Sequence, residues 1–179
     1  AVEAPPPDPI SVLIADFENA TGEEIFDGVL ESATAIILED ASFIQPYKRI
    51  QAQKVAKEIR PEVTNLNEEL ARLVAQREGV NIVVSGSISK SDGKYRLSMS
   101  ALDPVSGEIV GRHELKPETR GDVLTSVGKL AGRTREILGD TDPEKIRRAA
   151  EESFTATSLE AASAYAGAQD FLTAGKWQE

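Results

Sequence analysis

The chain has 179 residues, with 30 Asp and Glu against 20 Lys and Arg, a formal net charge of −10, 40% hydrophobic residues and no cysteine. That length accommodates one domain of ordinary size plus an appendage, and the hydrophobic share suffices for a real core. The lack of cysteine excludes disulfides, thiolate catalysis and Cys-built zinc sites, and the acidic balance excludes the basic footprint of a nucleic-acid or anionic-membrane partner.

Ala4-Pro5-Pro6-Pro7-Asp8-Pro9 opens the chain as a stiff, extended linker. Residues 10–17 form a mostly apolar run, which predicts a buried parallel strand. Residues 18–22 read as a loop with capping residues, leading into a helix over 24–40 whose Ile25, Val29, Ala33, Ile36 and Ile37 share a face. A short second strand follows over 42–47. Up to Tyr47 the chain carries ten acidic residues and no Lys or Arg, and from Lys48 onward the two signs balance; solubility and helix N-terminal charge account for such a block. Amphipathic helices are predicted over 48–59 and 67–78, separated at Arg60-Pro61 because proline disfavours the α conformation before it. Asn67 ahead of Glu68 and Glu69 is a good N-cap with acids in the first turn.

Residues 81–110 are the most informative stretch. Ile82, Val84, Gly86 and Ile88 alternate with polar residues, as do Tyr95, Leu97, Met99 and Ala101, and this period of two marks strands with one buried face. Asp92-Gly93 suits a two-residue hairpin turn, and Asp103-Pro104-Val105-Ser106-Gly107 a longer one. Three strands in a meander result, the last carrying the only histidine, His113. Residues 119–138 form a further helix with Val123, Val127, Leu130, Thr134 and Ile137 at helical spacing. Gly139-Asp140-Thr141-Asp142-Pro143 closes the domain, a short helix spans 144–152, and a last helix spans 158–174.

The order β-α-β-α-α-β-β-β-α predicts an α/β fold. The first three strands, joined through helices, pair in parallel with right-handed crossovers, and the last two add as antiparallel hairpins. The expected product is a mixed five-stranded sheet in the order 2-1-3-4-5 with flanking helices, followed by a C-terminal helical segment. The divisions are a Pro-rich linker at 1–9, an α/β domain at 10–140, a linker with a short helix at 141–157, and a helical tail at 158–179.

Little in this chain suits chemistry. His113 has no second imidazole and reads as a surface or edge-strand residue. Asp16 and Glu18, with Glu23, Glu24 and Asp27 nearby, offer oxygen ligands for a hard cation, but no calcium-loop spacing is present and acids at a helix start favour the dipole anyway. The loops after parallel strands are the usual ligand crevice of open α/β sheets. That edge holds Asp16, Glu18 and Asn19, with Lys48 and Arg49 placed to hold an anion beside helix N-terminal amides; these five are the candidate ligand or partner residues. Gly86 between Ser85 and Ser87 marks a bulge or a close helix approach. No catalytic residue, metal ligand or cofactor is assigned.

Several short blocks carry a family resemblance. Val12-Leu13-Ile14-Ala15-Asp16-Phe17-Glu18-Asn19, Thr21-Gly22, and Phe26-Asp27-Gly28 with Glu31 resemble the opening of the TolB amino-terminal and FlgO-like domains. Ala71-Arg72 through Gly79-Val80, Val83-Val84-Ser85-Gly86-Ser87-Ile88, and then Arg96, Leu102-Asp103 and Ser106-Gly107-Glu108 follow their later segments. The match covers residues 10–138 and departs at Ala15, where the family often has proline. In the tail, Ala164, Gly167, Ala168, Phe171, Gly175 and Trp177 resemble the start of a tetratricopeptide repeat, which cannot bury its apolar face without an array. The combination is similar to the extracytoplasmic part of bacterial envelope proteins and of some membrane-anchored Ser/Thr kinases. It implies a non-catalytic, periplasmic or otherwise extracytoplasmic sensing or protein-interaction domain of a longer protein. The alternatives are a spacer that positions a repeat array, or the ligand-binding regulatory part of such a kinase. A protein partner is expected, with a small ligand as the other class and no nucleic acid. No stretch approaches the ~20 apolar residues of a membrane span and no signal-peptide pattern occurs, so contact with a membrane is expected only through a segment upstream of Ala1.

Overall fold

The computed structural model describes Pro5 and residues 7–152. It is an α/β fold with a mixed sheet. The strands are β1 (Ile10–Ile14), β2 (Glu18–Ala20), β3 (Ile44–Pro46), β4 (Ile82–Ser91), β5 (Lys94–Leu102) and β6 (Ile109–Leu115). The helices are α1 (Val29–Glu39), α2 (Arg49–Ile59), α3 (Glu68–Glu78), α4 (Asp122–Leu138) and α5 (Pro143–Glu152). The predicted helix at 158–174 lies outside the described residues.

Five strands stand in the order β3-β1-β4-β5-β6. β1 is central and pairs in parallel with β3 (Ile10 opposite Ile44) and with β4 (Val12 opposite Ile82). β4, β5 and β6 are antiparallel neighbours. The β4–β5 turn uses positive φ at Asp92 (51°) and Gly93 (75°), the conformation a two-residue hairpin demands. In the β5–β6 turn, the Asp103 carboxylate accepts the amides of Val105 and Ser106, each at 2.8 Å, and these bonds hold its carboxyl below the usual range.

The sheet differs from expectation in a sixth strand. The run at 10–17 leaves the β1 ladder at Ile14, and Glu18–Ala20, read as loop, pairs in parallel with β4 through Ser87, Ile88 and Ser89. Between the two strands the Ala15 amide donates to Val84 O at 2.8 Å, a bond a proline there would forgo. The predicted helix over 24–40 is broken as well. A 3₁₀ turn (Glu24–Phe26) precedes Gly28, whose φ of 75° no helix interior accepts, and α1 starts only at Val29. At the other helices the differences are of a few residues, α4 starting at Asp122 rather than 119.

Successive side chains of a strand point to opposite faces, and both faces of β1 are covered. Val12 packs with α1 and α4 residues such as Leu30, Ile37, Val127 and Leu130. Leu13 packs with α2 and α3 residues such as Ala52, Leu70 and Val74. Phe17 turns into the first of these layers. Gly86 makes room for it: a Cβ there would sit 2.5 Å from the Phe17 ring and 2.7 Å from the Ser98 carbonyl. The expected bulge or helix approach at Gly86 is thus an aromatic ring and a neighbouring strand.

Asn67 caps α3 by accepting the Leu70 amide at 2.9 Å. α5 returns along α4 and buries Ile146 and Ala149. Arg135 of α4, 1% exposed, donates through its guanidinium to Ile37 O and Asp40 of the α1 end and to Asp140.

Candidate interaction sites

Two places offer themselves to partners, a cleft and the free edge of the sheet. The cleft lies past the end of β1, between the segment that follows this strand, α2 and the loop before α3. The cleft has a volume of about 900 Å³ and is lined by Asp16, Glu18, Asn19, Glu31, Arg49 and Lys57 among others.

Of the five residues singled out from the sequence, four meet here and Lys48 does not. Most of the four are already engaged. Asp16 accepts the Leu66 amide at 2.8 Å, returns a bond from its own amide to Leu66 O at 2.7 Å, and pairs with the Arg49 guanidinium at 2.5 Å. It ties the loop before α3 to the end of β1. Arg49 therefore serves Asp16, where a free anion site was expected. Asn19 donates to Glu23 O and to the Asp27 carboxylate, and accepts the amide and hydroxyl of Thr21. Its amide knots the turn after β2. Glu18 is exposed at the rim.

Glu23, named as an oxygen ligand for a hard cation, is spent on cross-links. It accepts the Tyr95 hydroxyl at 2.7 Å and pairs with Lys90 and Arg120, and these donors, Tyr95 first, lower its pKa. Among the described residues no group of three or more acidic or imidazole side chains is arranged to hold a metal ion.

Glu31 is the residue that sequence reasoning did not assign a role. It stands in the first turn of α1, 7% exposed, and accepts the Phe17 amide at 2.5 Å through Oε1, while buried Oε2 has no hydrogen-bond partner. Burial pushes its carboxyl up to about 7, against the opposing Phe17 bond, and the charge of Asp16 adds to the rise. The signal was present in the spacing: Glu31, Thr34 and Leu38 occupy one helical stripe, and the latter two are fully buried.

The second place is β6, which among the described residues has no neighbour on its outer side. Of six large apolar side chains exposed among the described residues, four belong to this edge or flank it: Val105 in the turn, Ile109 and Val110 at the start of the strand, and Ile137 of α4. Ile137 lies over Gly111, where a Cβ would collide with its Cδ1. Val110 is the extra residue of a β-bulge, because Ala101 pairs with Gly111 and Leu102 with Ile109. His113 sits in this edge strand opposite Met99, with its Nε2 buried and unpartnered. Arg112 and Glu114 are exposed on the opposite face, Glu114 beside Arg96 at 3.6 Å. No helix among the described residues is long and apolar enough to cross a membrane.

No protein-family model matches the sequence, and no curated protein matches it. Solved structures share the fold. The LpoB C-terminal domain from Salmonella enterica aligns with a TM-score of 0.54 at 16% identity, over 63% of this chain and 84% of that one. Lipoprotein GNA1162 from Neisseria meningitidis aligns with a TM-score of 0.52 at 13% identity, over 75% of this chain and all of that one. TolB from Acinetobacter baumannii aligns at 0.49 and 13% identity, with 29% of its length covered.

Proposed function

We propose that this chain is a non-catalytic protein-interaction module of the bacterial envelope, working outside the cytoplasm as part of a longer protein. The observation that carries the reading is the apolar edge formed by Val105, Ile109, Val110 and Ile137. A spacer gains nothing from an unpaired strand flanked by exposed apolar side chains, which is an aggregation hazard unless something covers it. The fold is shared with a lipoprotein and with the LpoB domain, and this supports the envelope setting as an analogy of fold.

What speaks against turnover is the commitment of the polar groups. Asp16 is consumed by Leu66 and Arg49, Asn19 by its own turn, and Glu23 by Tyr95, Lys90 and Arg120. A general base needs a proton-bearing partner within hydrogen-bond reach, and the buried Nε2 of His113 has no hydrogen-bond partner among the described residues. The cleft, with Asp16, Glu18, Asn19 and Arg49 around it and Lys48 just ahead of α2, is the second surface we assign to recognition.

The test uses the full-length protein in its own cell. A photo-crosslinking residue at Val110 is expected to trap a protein, and one at Ile36, an exposed apolar residue of α1 away from both the edge and the cleft lining, is expected to trap none. Equal labelling from both positions, or none from Val110, removes the reading.

A further inference from the structure

We infer that the partner covering β6 is a second copy of this chain, joined antiparallel strand to strand about a two-fold axis at His113. The inference rests on the reading of β6 as an interaction edge and goes beyond it by naming the occupant.

The bulge sets the usable length of the edge. Because Val110 is skipped in the pairing with β5, the regular part of β6 is the stretch 111–115, from Gly111 opposite Ala101 to Leu115 opposite Leu97. An unpaired edge presents amides and carbonyls to any strand that matches its length and twist. The same stretch from another molecule matches both, and a two-fold interface brings one patch against itself. Antiparallel pairing of 111–115 with itself has one centre, His113.

That register also satisfies the charges. Opposed residues in an antiparallel pair share a face, so Arg112 meets Glu114 of the partner subunit and Glu114 meets Arg112 of the partner subunit. Arg112 has no ion-pair partner among the described residues. Registers shifted toward the bulge fail. Centred on Arg112, the pair sets two guanidinium groups against each other; centred on Gly111, it sets Glu114 against Glu108, and both include the bulge. Like charges directly opposite destabilise a strand pair.

The apolar surface fits the same arrangement. Gly111 faces Leu115 of the partner subunit, and the exposed flank of Ile137, lying over Gly111, receives that side chain. Ile109 and Val110 run beside Pro117 and Lys116 of the partner subunit. α4 packs on both β5 and β6. With strands spaced ~4.8 Å apart, the two α4 helices come about 10 Å from one another, a normal packing distance.

The experiment is sedimentation of the 179-residue chain at tens of micromolar, with circular dichroism of each variant as a control. The wild type is expected at twice 19.3 kDa. Arg112→Glu and Glu114→Arg each turn two attractions into repulsions, and each is expected to weaken the dimer by at least about tenfold. The double variant Arg112→Glu/Glu114→Arg restores the pairing with signs exchanged and is expected to regain the dimer. A monomeric wild type, a dimer indifferent to both single reversals, or a double variant that stays monomeric overturns the inference. If the wild type is monomeric while Val110 still crosslinks a different protein, the interaction module stands and self-pairing falls; if Val110 crosslinks nothing, both fall.

Discussion

Replacing Arg135 by alanine is expected to remove about 3–5 kcal/mol of stability, the range for breaking a buried, hydrogen-bonded charge pair. Arg135 is 1% exposed and makes four donations: Nη1 to Ile37 O and Asp40, and Nε and Nη2 to Asp140. Without it, the Asp140 carboxylate, only 10% exposed, loses its partner, and the Ile37 carbonyl loses a donor at the end of α1. The loss includes the unsatisfied groups left behind as well as the bonds themselves. Arg135→Lys keeps the charge but not the fork, so it should recover only part of the loss. Urea denaturation at pH 7 and one fixed protein concentration reads the effect. A change below about 1 kcal/mol would show that the guanidinium does not hold α1 to the end of α4.

Glu31→Gln should stabilise the protein at pH 8 and do little at pH 4. The carboxyl of Glu31 titrates near 7 in the folded chain and near 4.5 when unfolded. Between these values the folded state keeps a proton that the unfolded state has released, so stability falls as pH rises through this window. Above it both states are ionised and the penalty is constant. A displacement of this size corresponds to roughly 3 kcal/mol. Glutamine retains an acceptor for the Phe17 amide and has no charge to bury. The difference in unfolding free energy between variant and wild type should therefore grow from near zero at pH 4 to about 3 kcal/mol at pH 8. Asp16 and Arg49, the charged groups facing Glu31, are present in both proteins and largely cancel in the difference. A difference that does not change with pH would refute the assignment.

The parts of this fold legible in the sequence were those set by local physics. Asp92-Gly93 dictates a turn whatever surrounds it, and the alternation through Tyr95, Leu97, Met99 and Ala101 lays one buried face on α4. Asn67 marks the start of α3 within a residue. The parts not legible depend on distant neighbours. Glu18, Asn19 and Ala20 have no strand-like pattern, and they become β2 only because Ser87, Ile88 and Ser89 offer an open ladder. Gly28 has an ordinary place in a helical pattern until Phe26 and Phe17 must both enter the core. Four of the five residues singled out line one cleft, but Asp16 and Arg49 were read as open to ligands because their mutual pairing spans a crossover. Arg135 shows no sign of its role, since Ile37 lies 98 positions away.

The place of β1 in the sheet has a consequence for how the chain is made. β1 leaves the ribosome well ahead of its partner, since Asn81, whose side chain binds Ser11, comes 70 positions later. At about 5–20 residues per second, β1 waits roughly 4–14 s for the strand that closes its inner side. The meander of β4, β5 and β6 has no such delay, because its partners are adjacent in sequence and its loop closures cost little. Pulse-labelled hydrogen exchange during refolding should therefore find amides of β4 and β5 protected before those of β1; protection of β1 first would reverse the order. β1, made before either of its neighbours, is then the last to find its place, inserted between β3 and a hairpin already built.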